Sequence, residues 1–295
     1  MTKKFTPVVA VLNMKGGVGK TTLSANLFRR MYFNQEVNTL LLDLDPQFNL
    51  TQSLFTKSEY EKLKASKRTI FRIFDKKTKS GLGEISKAHE NPVSVSEVKK
   101  SLRVFPKRTP PVGLDVVPGD FNLVMYSLMD DSKKLADAKV RFQAFIEESK
   151  KDYGLVVLDC NPSSSFLTLC SLSVCTHILV PVKLDAYSVI GLEMLWEFVN
   201  NRMSINPKPH FVVLLNGVER NKPTKSMVET EAELRGHEIF GSRTLANSMR
   251  ETGQLKARSD YTGFSVDRKT SVSTAIRNEL DAISEELAKK LGILK

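Results

Sequence analysis

Residues 12 to 22 read Leu-Asn-Met-Lys-Gly-Gly-Val-Gly-Lys-Thr-Thr and follow directly on the apolar run Pro7 to Val11. An apolar strand that breaks into glycines and resumes as a helix at a Lys-Thr pair reads as a phosphate-binding loop. Glycines let the backbone curl so that successive N–H groups point inward at phosphate oxygens. Lys20 is spaced to reach the β and γ phosphates, and the Thr21 hydroxyl suits Mg2+. The helix that starts near Lys20 adds the positive end of its dipole. The competing reading is a glycine-rich turn with no ligand, and the Lys-Thr pair placed directly after the last glycine argues against it. The ordinary loop carries a glycine at position 14 or 15, whereas this chain has Met14 and Lys15.

Two further apolar runs end in carboxylates. Thr39 to Leu44 leads into Asp43-Leu44-Asp45-Pro46-Gln47, and Leu155 to Leu158 leads into Asp159-Cys160-Asn161-Pro162-Ser163. Carboxylates at the carboxyl ends of neighbouring parallel strands meet in one crevice, the place where such sheets bind ligands. A single strand ending in Asp is common as helix capping; two of them after a phosphate-binding loop point to a site. Lys15-Gly16-Gly17-Val18-Gly19-Lys20-Thr21-Thr22 resembles the deviant Walker A motif of the ParA/MinD family. The two carboxylate segments are similar to that family's Asp-x-Asp-Pro-Gln switch and Walker B strand. The likeness is greatest to ParA/Soj-type DNA partition ATPases.

That resemblance implies an α/β fold of the P-loop NTPase kind, a mostly parallel twisted sheet with helices on both faces. It implies ATP and Mg2+ as cofactors, with Lys15, Gly16, Gly17, Val18, Gly19, Lys20, Thr21 and Thr22 around the nucleotide. Lys15 is expected to reach across a homodimer interface formed with ATP, and Asp45 to position the attacking water. Catalysis then rests on Lys15, Lys20 and Asp45, while Thr21 and Asp159 hold the metal, Asp159 through a water. Asn216 ends the apolar run Phe211 to Leu215; the resemblance gives it an adenine contact, whereas Asn216-Gly217 by itself equally reads as a turn. Guanine is disfavoured, because Asn221-Lys222-Pro223-Thr224 lacks the carboxylate of an Asn-Lys-x-Asp motif. The family's nonspecific DNA contacts are basic residues of the C-terminal third; the candidates are Arg202, Arg220, Lys222, Arg250, Lys256 and Arg258. A ParB-like DNA-binding protein is the implied activator. Two positions depart from the pattern, Asn161 for a proline and Phe48 for a frequent glycine. Both lie in switch segments and bear on hydrolysis rate and partner coupling, not on nucleotide binding.

The 295 residues are 41% hydrophobic and 26% charged, enough for one substantial α/β unit over residues 1–295. Expected strands are Val8 to Asn13, Thr39 to Asp45, Leu114 to Pro118, Leu155 to Cys160, His177 to Val182 and Phe211 to Asn216. Helices are expected after Lys20, Gln47, Asp120, Ser163, Ser188 and Thr224, with a last one over Ser271 to Leu291. Three cysteines, Cys160, Cys170 and Cys175, lack the paired spacing of a metal centre. They read as small buried hydrophobes in a reducing cytosol, which weighs against an iron–sulfur protein. No run approaches bilayer-spanning length. Leu280, Ile283, Leu287 and Leu291 recur at helical spacing opposite Glu285, Glu286, Lys289 and Lys290; this reads as a core-docking helix more than a membrane anchor. Together with the DNA binding that the resemblance implies, this points to a cytoplasmic, nucleoid-associated protein.

The net charge is +11, and residues 57–113 hold fifteen Lys and Arg against six Asp and Glu, a surplus of nine. This stretch is expected to be a partly helical elaboration with a basic outer face, open either to DNA or simply to solvent. The functional expectation is an ATP-dependent, DNA-binding partition ATPase. A membrane- or cargo-positioning ATPase, or a nucleotide-gated scaffold in a mobile-element or defence system, fits the same motifs.

Overall fold

The computed structural model describes residues 5–75, 93–105, 111–161, 165–185, 187–256 and 260–294. Among these, the strands are β1 Val8–Val11, β2 Thr39–Asp43, β3 Lys100–Phe105, β4 Val112–Val117, β5 Leu155–Asp159, β6 His177–Val182, β7 His210–Val218 and β8 Met249–Arg250. They form one eight-stranded sheet in the order β3-β4-β2-β5-β1-β6-β7-β8. Every pairing is parallel except β3 with β4. The helices are α1 Lys20–Gln35, α2 Asn49–Leu54, α3 Lys57–Ala65, α4 Phe71–Phe74, α5 Val95–Val98, α6 Val124–Leu128, α7 Ser132–Ser149, α8 Phe166–Leu172, α9 Ser188–Glu197, α10 Lys225–Gly236 and α11 Ser273–Leu291.

The central strands are apolar runs because both of their faces are covered. Val8 and Ala10 of β1 join one core with Phe142 and Phe145 of α7 and Leu192 of α9. Val9 and Val11 join the other with Leu23 and Leu27 of α1 and Leu280 and Ile283 of α11. Alternation along a strand thus places successive residues in opposite layers. The chain runs from β1 to β2 on one side and reaches β6 on the other, so the sheet order reverses at β1. The carboxyl end of β1 is the crevice where such sheets take ligands, and residues 12–22 sit there.

The expected strands and helices are present, with the strands at residues 8 and 39 ending two residues early, at Val11 and Asp43. The structure adds β3 and β8, which were not expected. β3 is mostly exposed, and its basic residues suit an unpaired sheet edge. The basic stretch is therefore helical at α3, α4 and α5 but also supplies a strand. Part of its charge is paired with carboxylates, by Lys99–Asp115 at 2.7 Å, Arg103–Asp267 at 3.6 Å and Arg72–Glu97 at 3.7 Å.

Helix α11 docks on α1. Ile276, Leu280, Ile283, Leu287 and Leu291 are all buried. Arg30 donates two hydrogen bonds to the Asp281 carboxylate, at 2.7 and 2.8 Å. The apolar stripe is consumed by the core, and among the described residues no helix is long and apolar enough to cross a membrane. Ile283→Ala should lower unfolding stability by about 2–5 kcal/mol, the range for truncating a buried aliphatic side chain. Urea unfolding of the two proteins measures this, and an unchanged midpoint would mean that α11 is not docked in solution.

Candidate phosphate-binding site

The loop between β1 and α1 takes the curled shape that its glycines allow. Gly17 and Gly19 have φ of 71° and 92°. Gly19 is required twice over, because a Cβ there would also lie 2.3 Å from the Asn216 amide nitrogen. Gly19 is the N-cap of α1, no side chain caps that end, and no acidic residue occupies the first turn. The first N–H groups of the helix are thereby left for an anion. The Lys20 ammonium donates to the loop's own carbonyls, at 3.0 Å to Asn13 and 2.9 Å to Lys15. Burial lowers the Lys20 pKa, while Asp159, Cys160 and Asp45 oppose that shift.

Beneath the loop, Asp43 and Asp159 are register partners at the ends of β2 and β5. Both are buried, and desolvation raises both pKa values. Asp43 Oδ2 accepts from the Thr51 amide at 2.8 Å and from the Thr51 hydroxyl at 2.7 Å. Asp159 Oδ1 accepts from Ser24 at 2.7 Å, and the Thr21 side chain hydrogen-bonds the same carboxylate. Asp159 Oδ2 is buried with no hydrogen-bond partner. An orphaned carboxylate oxygen beside a threonine hydroxyl is a hard-oxygen donor set of the kind Mg2+ takes. Asp45 accepts from the Gln47 amide at 2.9 Å and faces a cavity of about 950 Å³ that Gly16, Lys20, Thr21 and Thr22 also line.

The remaining sequence-derived residues divide. Lys15 is half exposed and forms an ion pair with Asp185 of its own chain. Asn216 lies behind the loop, where its amide donates to the Val18 carbonyl at 2.7 Å. The side chain expected at adenine thus braces the loop, and the residues lining the cavity do not include it. Arg220 and Arg250 meet at one carboxylate, Glu279, with Arg220 at 2.8 Å. Arg202 pairs with Glu197 at 3.4 Å, and Lys222 and Lys256 are exposed. Arg258, Pro162 and Ser163 lie outside the described residues. The cavity wall formed by Leu255, Tyr261, Thr262, Gly263 and Ser265 was not foreseen. It closes through contacts distant in sequence, Gly263 N to Ser53 O at 2.8 Å and Val266 N to the Asn26 side chain at 2.7 Å.

The profile of the AAA domain family matches residues 6–209 of this chain. The chain belongs to that family and is of the ParA/Soj type. It is 29% identical over 190 residues to the sporulation initiation inhibitor protein Soj of Bacillus subtilis, covering 64% of this chain and 62% of that protein. It is 28% identical over 241 residues to the chromosome partitioning protein ParA of Caulobacter vibrioides, covering 80% of this chain and 77% of that one. The match thus takes in less than two thirds of the Bacillus relative. The structure of a McdA variant of Cyanothece in complex with ATP superposes with a TM-score of 0.66 at 15% identity, covering 98% of this chain and 97% of that one. The fold is that of a ParA-like P-loop NTPase.

The buried carboxylate pair has a consequence for stability. A carboxyl whose pKa is raised by folding favours the folded state at low pH and opposes it as pH rises through the raised value. Asp159→Asn removes that opposition. The variant should therefore gain stability over the unmodified protein as pH climbs from about 4 towards neutrality. The gain should reach about 1–3 kcal/mol, the usual cost of an ill-satisfied buried group. Chemical unfolding in EDTA at several pH values measures it, and a variant less stable at pH 7 than at pH 4 relative to the parent would contradict the assignment.

Proposed function

We propose that this chain is an ATP-hydrolysing partition protein, one nucleotide-binding unit over residues 1–295. In this reading it dimerises on ATP, binds DNA without sequence preference and moves a plasmid or chromosome with a ParB-like activator. The observation that carries the reading is the convergence of Lys20, Thr21, Asp45 and the orphaned Asp159 oxygen beneath an uncapped helix end. The ATP bound by the structurally similar McdA variant and the partitioning role of the Caulobacter relative support it.

ATP is taken by the N–H groups of residues 16–22 and by the Lys20 ammonium, which exchanges two loop carbonyls for phosphate oxygens. Thr21 and Asp159 would hold Mg2+, which supplies charge neutralisation at the phosphates. Asp45 accepts a hydrogen bond from water and aligns it for attack on the γ phosphate. Lys15 leaves Asp185 and enters the partner's site, adding positive charge where negative charge develops. Arg220 and Arg250, with Arg202, Lys222, Lys256 and Arg258 as further candidates, meet phosphates of DNA. Binding through such contacts weakens steeply with salt. The protein is expected in the cytoplasm on the nucleoid.

Asp45→Ala should retain ATP and accumulate as dimer while turnover falls by about a hundredfold or more. Light scattering with ATP and Mg2+ shows the dimer, and a variant that stays monomeric counts against the reading. Lys20→Ala should lose ATP-dependent DNA retention. Retention that survives at low salt without nucleotide would assign DNA binding to the basic surface alone.

A further inference from the structure

We propose that Phe48, through its stack on Tyr60, is a positioning residue for Asp45; the inference rests on the reading of Asp45 as the residue that aligns water. Asp45 opens a tight turn that Phe48 closes, with the Phe48 amide donating to the Asp45 carbonyl at 2.8 Å. Within the same turn the Gln47 amide holds the Asp45 carboxylate. Phe48 has φ 43° and ψ 41°, in the left-handed region. Its Cβ makes that conformation costly, and glycine would adopt it freely. A costly backbone beside a reactive carboxylate persists only where the surroundings over-determine it.

Two contacts do so. The Phe48 ring stacks on Tyr60 with centroids 5.0 Å apart and planes 15° apart. On its other side the Phe48 Cβ presses on Gly119, where an added Cβ would lie 2.6 Å from it and 2.9 Å from the Asp43 carboxyl carbon. The Gly119 amide donates to Thr51 Oγ1 at 2.7 Å, and Thr51 Oγ1 donates to Asp43 at 2.7 Å. Both ends of the segment 43–51 are therefore clamped. Tyr60 lies on α3, and Thr56, which caps α3, and Lys57, which begins it, line the same cavity as Asp45. The Tyr60 hydroxyl is buried without a hydrogen-bond partner, so the ring face, not the hydroxyl, is what the site uses. The large side chain at position 48 thus ties the turn that carries Asp45 to helix α3.

The test pairs turnover with hydrogen exchange. Phe48→Gly relieves the backbone, so it should fold at least as well as the parent. Its kcat should nevertheless fall about tenfold, with the KM for ATP within about twofold. Tyr60→Ala should match it, the double variant should be no worse than either single one, and Tyr60→Phe should restore parental kcat. Backbone amides of residues 45–51 should exchange faster in Phe48→Gly and Tyr60→Ala without any nucleotide. Parental kcat in Phe48→Gly, or parental exchange across 45–51, overturns the proposal. If Asp45→Ala itself hydrolyses ATP at the parental rate, the reading of Asp45 fails, while the exchange data still decide whether Phe48 holds the turn.

Discussion

Two buried carboxylates held side by side are the constraint on which this structure turns. Asp43 and Asp159 face each other from adjacent strands, and both are buried away from bulk solvent. Buried charge is costly unless it is matched by opposite charge and hydrogen bonds. The fold supplies part of the match: Thr51 to Asp43, Ser24 and Thr21 to Asp159. It leaves one Asp159 oxygen unmatched, and the Lys20 ammonium is tied to loop carbonyls close by. A buried carboxylate oxygen without donors suits a cation. Phosphate can then be held by the lysine and by the uncapped helix above it.

Much of the remaining structure keeps that arrangement in register. Parallel pairing with both faces covered fixes β1, β2 and β5 relative to one another, so their carboxyl ends stay level. Asn216 braces the loop from behind through Val18 and leaves room only for glycine at position 19. On the far side of α1, the α11 stripe and the Arg30–Asp281 pair hold the helix that the glycine loop leads into. Lys15, at the front of the loop, is instead paired with Asp185 of its own chain. That pair is half exposed and so of modest strength.

The basic character of the chain is less uniform in space than in sequence. Lys99, Arg103 and Arg72 of the charge-rich stretch are paired within the fold, and Arg220 and Arg250 share Glu279. A shared carboxylate brings two guanidinium groups together at a surface groove, with one formal positive charge left over. Clustering of this kind, more than the count of lysines, shapes the field that a polyanion meets.

Local sequence determined what depends on near neighbours. The loop of residues 12–22, the apolar runs ending in Asp43, Asp45 and Asp159, and the stripe of α11 are all contiguous patterns. Their meaning follows from backbone geometry and helical or strand periodicity. Mostly exposed β3 carries no such period, because an edge strand need bury only part of one face. The bracing role of Asn216, the capture of Lys15 by Asp185 and the wall formed by Tyr261 and Gly263 join residues far apart along the chain. So does the stack that ties Phe48 to Tyr60. Only tertiary packing decided them, because hydrogen bonds and ring contacts between distant segments depend on which side chains the sheet order brings together, and no local spacing encodes that order.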